Sequence, residues 1–206
     1  MISKINVLMI LKGETEDMNL NRIAKEAHQT AVEHGFWEPE PTFGELIALM
    51  HSELSEALEA FREGQLMVWH VCYAPDSIYE CEEHQECKET CECREAKPEG
   101  IAVELADCII RILDWAGHEG TEFKPVPIAR DCVCEKTGEI IAECHWMISK
   151  AYENRNHPAV ADSYLNRCVS YILAWAKENE LDMYAIIREK MDYNKTRPYR
   201  HGGKRL

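Results

Sequence analysis

The sequence lacks a long apolar run. The apolar stretch near its start, residues 5–11, is far shorter than the about 20 residues that a transmembrane helix needs. Charged residues follow this stretch directly and no small-residue cleavage site accompanies it, so the pattern of a signal peptide is also lacking. We therefore expect a cytoplasmic protein with no membrane partner.

Basic residues are scarce. Lysine and arginine number 23 against 37 aspartate and glutamate residues, which gives a formal net charge of -14. A surface of this charge repels a phosphate backbone, and the composition therefore excludes nucleic acid polymers as the general partner. The same excess of carboxylates fits a site that collects divalent cations.

Apolar periodicity is almost absent from two segments, residues 70–98 and residues 120–140. The first is rich in cysteine and glutamate and is interpreted as an insertion. The second contains Cys132-Val-Cys134 and the turn Lys136-Thr-Gly138, which predict a small hairpin. Because no secretion is expected, the ten cysteines are predicted to be reduced or metal-bound rather than paired in disulfides.

The remaining chain shows helical spacing of apolar residues, which predicts one all-α domain over residues 1–206. The predicted helices are 19–34, 43–62, 101–118, 141–152, 162–177 and 183–194. A basic tail, residues 195–206, follows the last helix, and residues 4–11 fit either a strand or the start of a helix. Three cysteines on helical patterns are predicted to be small core residues: Cys108, Cys144 and Cys168.

Two acidic steps stand out within these helices, Glu53-Leu-Ser-Glu56 and Glu104-Leu-Ala-Asp107. Each places two carboxylates three residues apart, and such residues lie about 5–6 Å apart on one face of a helix. Each step is therefore a potential pair of oxygen ligands.

The first step lies on a helix with Thr42 as its predicted N-cap and Glu45 completing a capping box. With about 100° of rotation per residue, Glu53 falls within the apolar stripe and Glu56 at its edge. The stripe is predicted to consist of Leu46, Met50, Leu54, Ala57 and Phe61.

The second step lies on a helix that is apolar around most of its circumference, which indicates a nearly buried helix. Its central polar residues fall in one narrow strip: Glu104, Asp107, Arg111 and Asp114. A solvated charged face would be broader and would carry lysines, so this strip is predicted to face inward.

Buried carboxylates without partners cost several kcal/mol each, so these groups need cations or strong donors. Two facing helices with a carboxylate pair each would form an oxygen cage suited to Mg²⁺ or Mn²⁺. The alternative is that the acids are ordinary surface residues, of which a chain this acidic has many.

The last predicted helix carries a cationic counterpart. Lys190 and Asn194 project toward its apolar side, and Arg197 follows just beyond. An anion beside the metal cage would satisfy all three, whereas a salt bridge between Lys190 and a buried acid is the alternative. From Arg200 onward we expect a solvated or disordered basic end, in which His201-Gly-Gly203 permits mobility.

A metal cage beside Lys, Asn and Arg describes a polyphosphate site. The metal would neutralise phosphate charge and lower the pKa of a water molecule, and a nearby carboxylate would orient or deprotonate that water.

Three segments carry a resemblance to a known family: ELSEALEAFREG from Glu53, ELADCIIRILDWAG from Glu104 and KMDYNKTRPYRHGGK from Lys190. They resemble the MazG-like branch of the all-α NTP pyrophosphatases over about two-thirds of the chain. The resemblance implies a helical bundle that is a homodimer or homotetramer and that cleaves nucleoside triphosphates to monophosphates and pyrophosphate. It implies Mg²⁺ ligands at Glu53, Glu56, Glu104 and Asp107, the first two also being the catalytic carboxylates.

The same resemblance implies phosphate contacts from Lys190, Asn194 and Arg197. Trp37, in the loop before the first acidic helix, is a candidate to stack on the base, and a packed aromatic residue is the alternative. The chain departs from the family in two respects. Ser52 stands where many members carry an acid, which bears on the number of metals, and the cysteine-rich insertion separates the two steps.

The insertion suggests a second metal. Its cysteines do not match a standard paired zinc spacing, yet a tetrahedral zinc site would order a segment with few apolar residues. The candidate ligands for this structural Zn²⁺ are Cys81, Cys87, Cys91, Cys93, Cys132 and Cys134, with His84 among them in sequence. A mobile reduced loop is the alternative.

Three hypotheses about function follow. The first is a Mg²⁺-dependent nucleoside triphosphate pyrophosphohydrolase, of which a dUTP- or dCTP-specific enzyme is a close variant. The second is a zinc-organised binding or regulatory protein on a non-catalytic helical frame. The third is a structural bundle whose acids pair internally.

Overall fold

A computed structural model describes residues 19–72, 96–134 and 136–203. Six long helices dominate these residues and only two short strands accompany them, so the all-α prediction is confirmed. The elements are α1 (Leu20–Glu33), α2 (Phe43–Arg62), β1 (Trp69–Cys72), β2 (Ala96–Glu99), α3 (Ile101–Glu119), α4 (Thr137–Glu153), α5 (Pro158–Glu178) and α6 (Met183–Thr196). A 3₁₀ turn covers Arg130–Cys132, and a helical turn covers Arg200–Gly203.

Helix α3 is the centre of the bundle. It packs against α1, α2, α5 and α6, while α4 packs against α2 and α5. Most of its circumference is buried, as its apolar composition predicts. Cys108 of α3 is fully buried together with Cys144 and Cys168, which confirms that these three cysteines are core residues.

Close approach of α1 to α3 depends on a small residue. A Cβ atom at Gly117 would lie 2.4 Å from the carbonyl oxygen of Ala24, well inside van der Waals contact. The contact therefore requires glycine in α3, and it brings α1 beside the polar strip of α3.

Local signals set several helix ends as predicted. Thr42 and Glu45 form the capping box of α2, in which the Thr42 amide donates to the Glu45 carboxylate at 2.7 Å. Asp182 caps α6 through the amide of Ala185 at 3.0 Å. Helix α5 begins at Pro158, four residues before the predicted start, because proline is well suited to the first turn of a helix.

The insertion predicted as irregular over residues 70–98 has ordered ends. β1 and β2 pair in antiparallel register, with Trp69 opposite Glu99 and Cys72 opposite Ala96. The amides of Ile101 and Ala102 then donate to the carbonyls of Leu66 and Met67, which fixes the start of α3 against the segment just before β1. The prediction missed these strands because four-residue strands offer too few positions for a periodic pattern.

The hairpin predicted around Cys132-Val-Cys134 and Lys136-Thr-Gly138 is wrong. Lys136 is the N-cap of α4, and Gly138 lies inside its first turn. The second irregular segment therefore ends at residue 136 rather than 140. Ile140 and Cys144 are buried at helical spacing, and this burial outweighs the turn preference of glycine.

Two further predictions are corrected. Phe61 does not belong to the buried stripe of α2, since 44% of it is exposed near the end of the helix. The predicted basic tail begins inside α6, which extends to Thr196. Arg200–Gly203 are not the solvated or disordered end expected from Arg200 onward, because they form a turn that packs back on the loop after α1, while residues 204–206 lie outside the described residues. None of the helices in the described ranges is long and apolar enough to cross a membrane.

Candidate functional site

A pocket of about 200 Å³ lies where α1, α2, α3 and α6 meet. Both acidic steps line it, as do all four members of the polar strip of α3. The strip therefore faces the interior of the bundle, as predicted. Lys190, Asn194 and Arg197 line the same pocket from the side of α6.

Three of the four predicted metal ligands come together at the bottom of this pocket. Oxygen atoms of Glu53, Glu104 and Asp107 all lie within 4.8 Å of one another. Such spacing lets one cation contact all three carboxylates. Within the described ranges, this is the only group of three or more potential ligands placed in this way.

Glu53 has a partner that the sequence did not reveal. The Arg111 guanidinium donates to its carboxylate at 2.9 Å, and both side chains are largely removed from solvent. Burial raises the pKa of Glu53 above its ordinary value, although the charge of Arg111 opposes this shift. Arg111 therefore compensates part of the negative charge of the cluster.

Asp107 is paired with the lysine of α6. Lys190 Nζ lies 2.9 Å from the Asp107 carboxylate, and its residue is only 3% exposed. Burial tends to lower the pKa of Lys190, but Asp107 and Glu104 outweigh it and hold the pKa above its ordinary value. The salt bridge considered as the alternative for Lys190 is thus present, and Lys190 still lines the pocket.

Glu104 has no hydrogen bond or ion pair to any residue in 19–72, 96–134 or 136–203, although it is only 7% exposed. Burial, followed by the neighbouring charge of Asp107, raises the pKa of its carboxyl group to about 8. A carboxylate in this position needs a cation to be stable in its charged form.

Glu56 occupies a different position. Its residue is exposed at the rim of the pocket, and it is not part of the tight group of three. The hydroxyl of Ser52 donates to Glu56 Oε1 at 3.3 Å. Ser52 occupies the position at which many members of the resembled family carry an acid. Glu56 is therefore placed to contact a solvent molecule or a ligand at the mouth of the pocket.

The anion side of the pocket is built from α6 and the segment after it. Asn194 Oδ1 is buried without a hydrogen-bond partner among the described residues, and Arg197 reaches the same space. Lys97 of β2 lines the pocket as well, so the ribbon contributes a cation that sequence patterning did not identify.

Trp37 packs outside the residues that line the pocket. Its indole N–H donates to Asp114 at 3.0 Å, and its ring stacks on His118 with centroids 4.1 Å apart. His28 Nδ1 lies 2.9 Å from the same Asp114 carboxylate. This arrangement fits the packed aromatic residue that was the alternative for Trp37, and it fixes Asp114 at one end of the pocket.

Besides Lys97, three lining residues were not predicted as site residues, Thr30, His34 and Phe36, and His201 was expected only as part of a mobile tail. They come from the end of α1, the loop after it and the C-terminal turn. No periodic pattern marks such positions, and only the aromatic and histidine content of residues 34–36 could have drawn attention to them.

The predicted zinc ligands remain a prediction. Cys81, Cys87, Cys91 and Cys93 lie outside the described residues, together with His84. Cys132 is exposed in the 3₁₀ turn, and the amide of Cys134 donates to the Tyr171 hydroxyl at 3.1 Å.

The donor set at the bottom of the pocket fits a hard divalent cation. It consists of carboxylate oxygens without nitrogen or sulphur ligands, which is the chemistry that Mg²⁺ and Mn²⁺ prefer. Glu104, buried and unpaired among the described residues, supplies the charge that such an ion would neutralise.

Comparison of the chain with models of protein families, with curated proteins and with solved structures finds no match.

Proposed function

We propose that the protein is a nucleoside triphosphate pyrophosphohydrolase that uses Mg²⁺ or Mn²⁺. Water would add across the bond between the α- and β-phosphates, which yields a nucleoside monophosphate and pyrophosphate. The proposal includes the MazG-like relationship suggested by the sequence, a cytoplasmic location and a homodimer or homotetramer.

One observation carries this proposal. The carboxylate of Glu104 is buried beside those of Glu53 and Asp107, and among the described residues it makes no hydrogen bond or ion pair, although the charge of Lys190 acts on it from a distance. A purely structural cluster would pair each buried acid, because an uncompensated buried charge is strongly destabilising. The unpaired member favours a site designed to bind a cation.

Glu53, Glu104 and Asp107 would hold the metal. When bound, the ion supplies neutralisation of phosphate charge and a lower pKa for water. Lys190, Asn194 and Arg197 line the same pocket and would hold the phosphate oxygens, the amide of Asn194 by donation and the two cations by charge.

Glu56 would act as the general base for the attacking water. It lies at the exposed rim beside Glu53, Glu104 and Asp107, where a carboxylate can accept a proton from a solvent molecule. Its hydrogen bond from Ser52 would keep it oriented toward the pocket.

A screen for pyrophosphate release over the common ribo- and deoxyribonucleoside triphosphates tests the proposal. With Mg²⁺, we expect turnover of at least one nucleotide and a loss of at least about 100-fold in Asp107→Asn. Asp192→Asn is the matched control, because Asp192 is an exposed residue of α6 that pairs with Lys195. No turnover of any nucleotide by the folded protein would refute the proposal.

The alternative hypothesis is a structural bundle whose acids pair internally, because two of the buried acids already form ion pairs. Glu53 is paired with Arg111 and Asp107 with Lys190, each at 2.9 Å. The two hypotheses differ in metal binding. Isothermal titration calorimetry that detects no Mg²⁺ or Mn²⁺ binding would favour the structural bundle.

A further inference from the structure

The chain after α6 folds back onto the loop between α1 and α2, and we name residues 197–203 the C-terminal strap. Its Tyr199 ring packs so closely on Gly35 that a Cβ atom there would lie 2.2 Å from the ring. The Arg200 amide donates to the His34 carbonyl at 2.9 Å, and the Arg200 guanidinium donates to the carbonyl of Glu38.

The strap brings two side chains to the pocket, Arg197 and His201. The His201 ring contacts Phe36 with centroids 4.7 Å apart, and both rings line the pocket. Arg200 and His201 have φ values of 48° and 46°, in the left-handed region that residues with side chains rarely occupy. Contacts with the loop must therefore compensate the conformational cost of docking.

The imidazole ring of His34 contacts both α1 and the C-terminal strap. Its Nδ1 lies 2.8 Å from the carbonyl oxygen of Thr30 in α1, and its Nε2 lies 3.0 Å from the carbonyl oxygen of Arg197 in the strap. Carbonyl oxygens only accept hydrogen bonds, and a neutral imidazole has a single N–H to donate. Both contacts are hydrogen bonds only when both ring nitrogens carry protons.

We propose that His34 is a positioning residue whose imidazolium form holds the C-terminal strap against the pocket. Loss of a proton removes one of the two hydrogen bonds and sets a nitrogen lone pair against a carbonyl oxygen, so the strap undocks. The site at the end of α1 suits a cation, because the helix dipole is negative there. Protonation of His34 thus assembles the part of the pocket that contains Arg197 and His201.

This inference goes beyond the proposed activity and does not depend on it. Other charged groups lie near His34, and a test must distinguish their effect on docking of the strap from the effect of His34. Helix α3 contributes Glu104, Asp107, Arg111 and Asp114, and α2 contributes Glu53 and Glu56. The remaining groups are Glu33 beside His34, Lys97 of β2, Lys190 of α6, and Arg197, Arg200 and His201 of the strap.

Nitrogen NMR of the full chain with ¹⁵N-labelled histidine reads the protonation of each ring directly. We expect both ring nitrogens of His34 to carry protons under the conditions in which the strap is docked. A His34 ring that is neutral while the strap is docked would overturn the proposal.

Trypsin cleavage after Arg200, followed by mass spectrometry, reads docking of the strap. At pH 7 we expect His34→Gln to be cleaved about tenfold faster than the unmodified chain, because a glutamine amide can donate to only one of the two carbonyls in this geometry. His157→Gln, the matched control, should be cleaved at the unmodified rate. General unfolding would accelerate cleavage at every site, whereas undocking accelerates only the bond after Arg200.

The pH dependence separates this role from simple packing. We expect the ratio of the His34→Gln rate to the unmodified rate to fall toward one as the pH rises to 8.5, since the natural strap then undocks as well. The ratio cancels the pH dependence of trypsin itself. A ratio that stays constant with pH, or a variant cleaved no faster than the unmodified chain, would contradict the proposal.

Discussion

The two acidic steps have the same spacing but different environments. In α3, Glu104 and Asp107 lie on a helix that is buried around most of its circumference. In α2, Glu53 is buried but Glu56 is exposed, because the helix has an outer face. The partners differ as well, since Glu53 forms an ion pair with Arg111 while Glu104 makes no hydrogen bond or ion pair among the described residues.

This difference shows that spacing alone does not define a ligand pair. The i, i+3 pattern places two carboxylates on one face, and the surrounding helix decides how far each one is removed from water. A step on a central helix yields two inward acids, whereas a step at the edge of a stripe yields one inward acid and one at the rim.

The largest expected effect is a pH-dependent loss in the free energy of unfolding of the metal-free protein. The pKa of Glu104 is about 8 in the folded chain against an ordinary value of 4.5, and the pKa of Glu53 is also raised. The folded state therefore holds protons that the unfolded state has released between these values, so the free energy of unfolding falls as the pH rises through this window. We expect a loss on the order of 3 kcal/mol by denaturant titration.

Adding Mg²⁺ and substituting Glu104 both test whether the acidic cluster causes this pH dependence. Saturating Mg²⁺ should remove most of the fall, because the ion binds the charged form of the cluster. Glu104→Gln should do the same without metal, since its amide cannot ionise. The pKa values of His51 and His145 are lowered, mainly by burial, and their effect has the opposite sign. A fall of equal size in Glu104→Gln would show that other groups cause it.

The next effect concerns the partner of Glu53. Arg111→Met should destabilise the metal-free protein by about 2 kcal/mol at pH 7, because it leaves a buried carboxylate without compensation. The loss should shrink at pH 5, where Glu53 can be protonated. Arg62→Met, which breaks an exposed ion pair with Glu59, is the control and should cost at most about 0.5 kcal/mol. Equal losses in the two variants would show that Arg111 does not compensate a buried charge.

The smallest effect is expected at the rim of the pocket. Glu56→Gln should change the free energy of unfolding by no more than about 0.5 kcal/mol, because the residue is exposed. In a nucleotide assay it should still reduce turnover, since Glu56 is proposed to accept a proton from water. Thermal unfolding checks the expected stability, and pyrophosphate release measured on the same preparation checks the expected loss of turnover. A large loss of stability would place Glu56 with the buried acids instead.

Much of the helical frame could be predicted from sequence. The capping pair Thr42 and Glu45, the cap at Asp182 and the inward strip of α3 all follow from local chemistry and helical periodicity. The hairpin near Gly138 could not be excluded locally, because only burial of Ile140 and Ile141 selects the helix there.

The candidate site was predicted less completely, because part of it depends on tertiary contacts. Arg111 was visible in the strip, but its pairing with Glu53 requires the approach of α2 to α3. His34 and His201 come from a helix end and a tail that meet only in the folded chain. Spacing within one segment holds no information about such meetings.

The central claim is that Glu104, together with Glu53 and Asp107, binds a divalent cation. Calorimetric titration of Mg²⁺ into the metal-free protein at pH 8 tests it most directly, with Glu104→Gln as the test variant and Glu59→Gln, an exposed residue of α2, as the control. We predict binding to the unmodified chain and to the control, and an affinity at least about 100-fold weaker in Glu104→Gln. Equal affinity in all three proteins, or no binding to any of them, would contradict the claim.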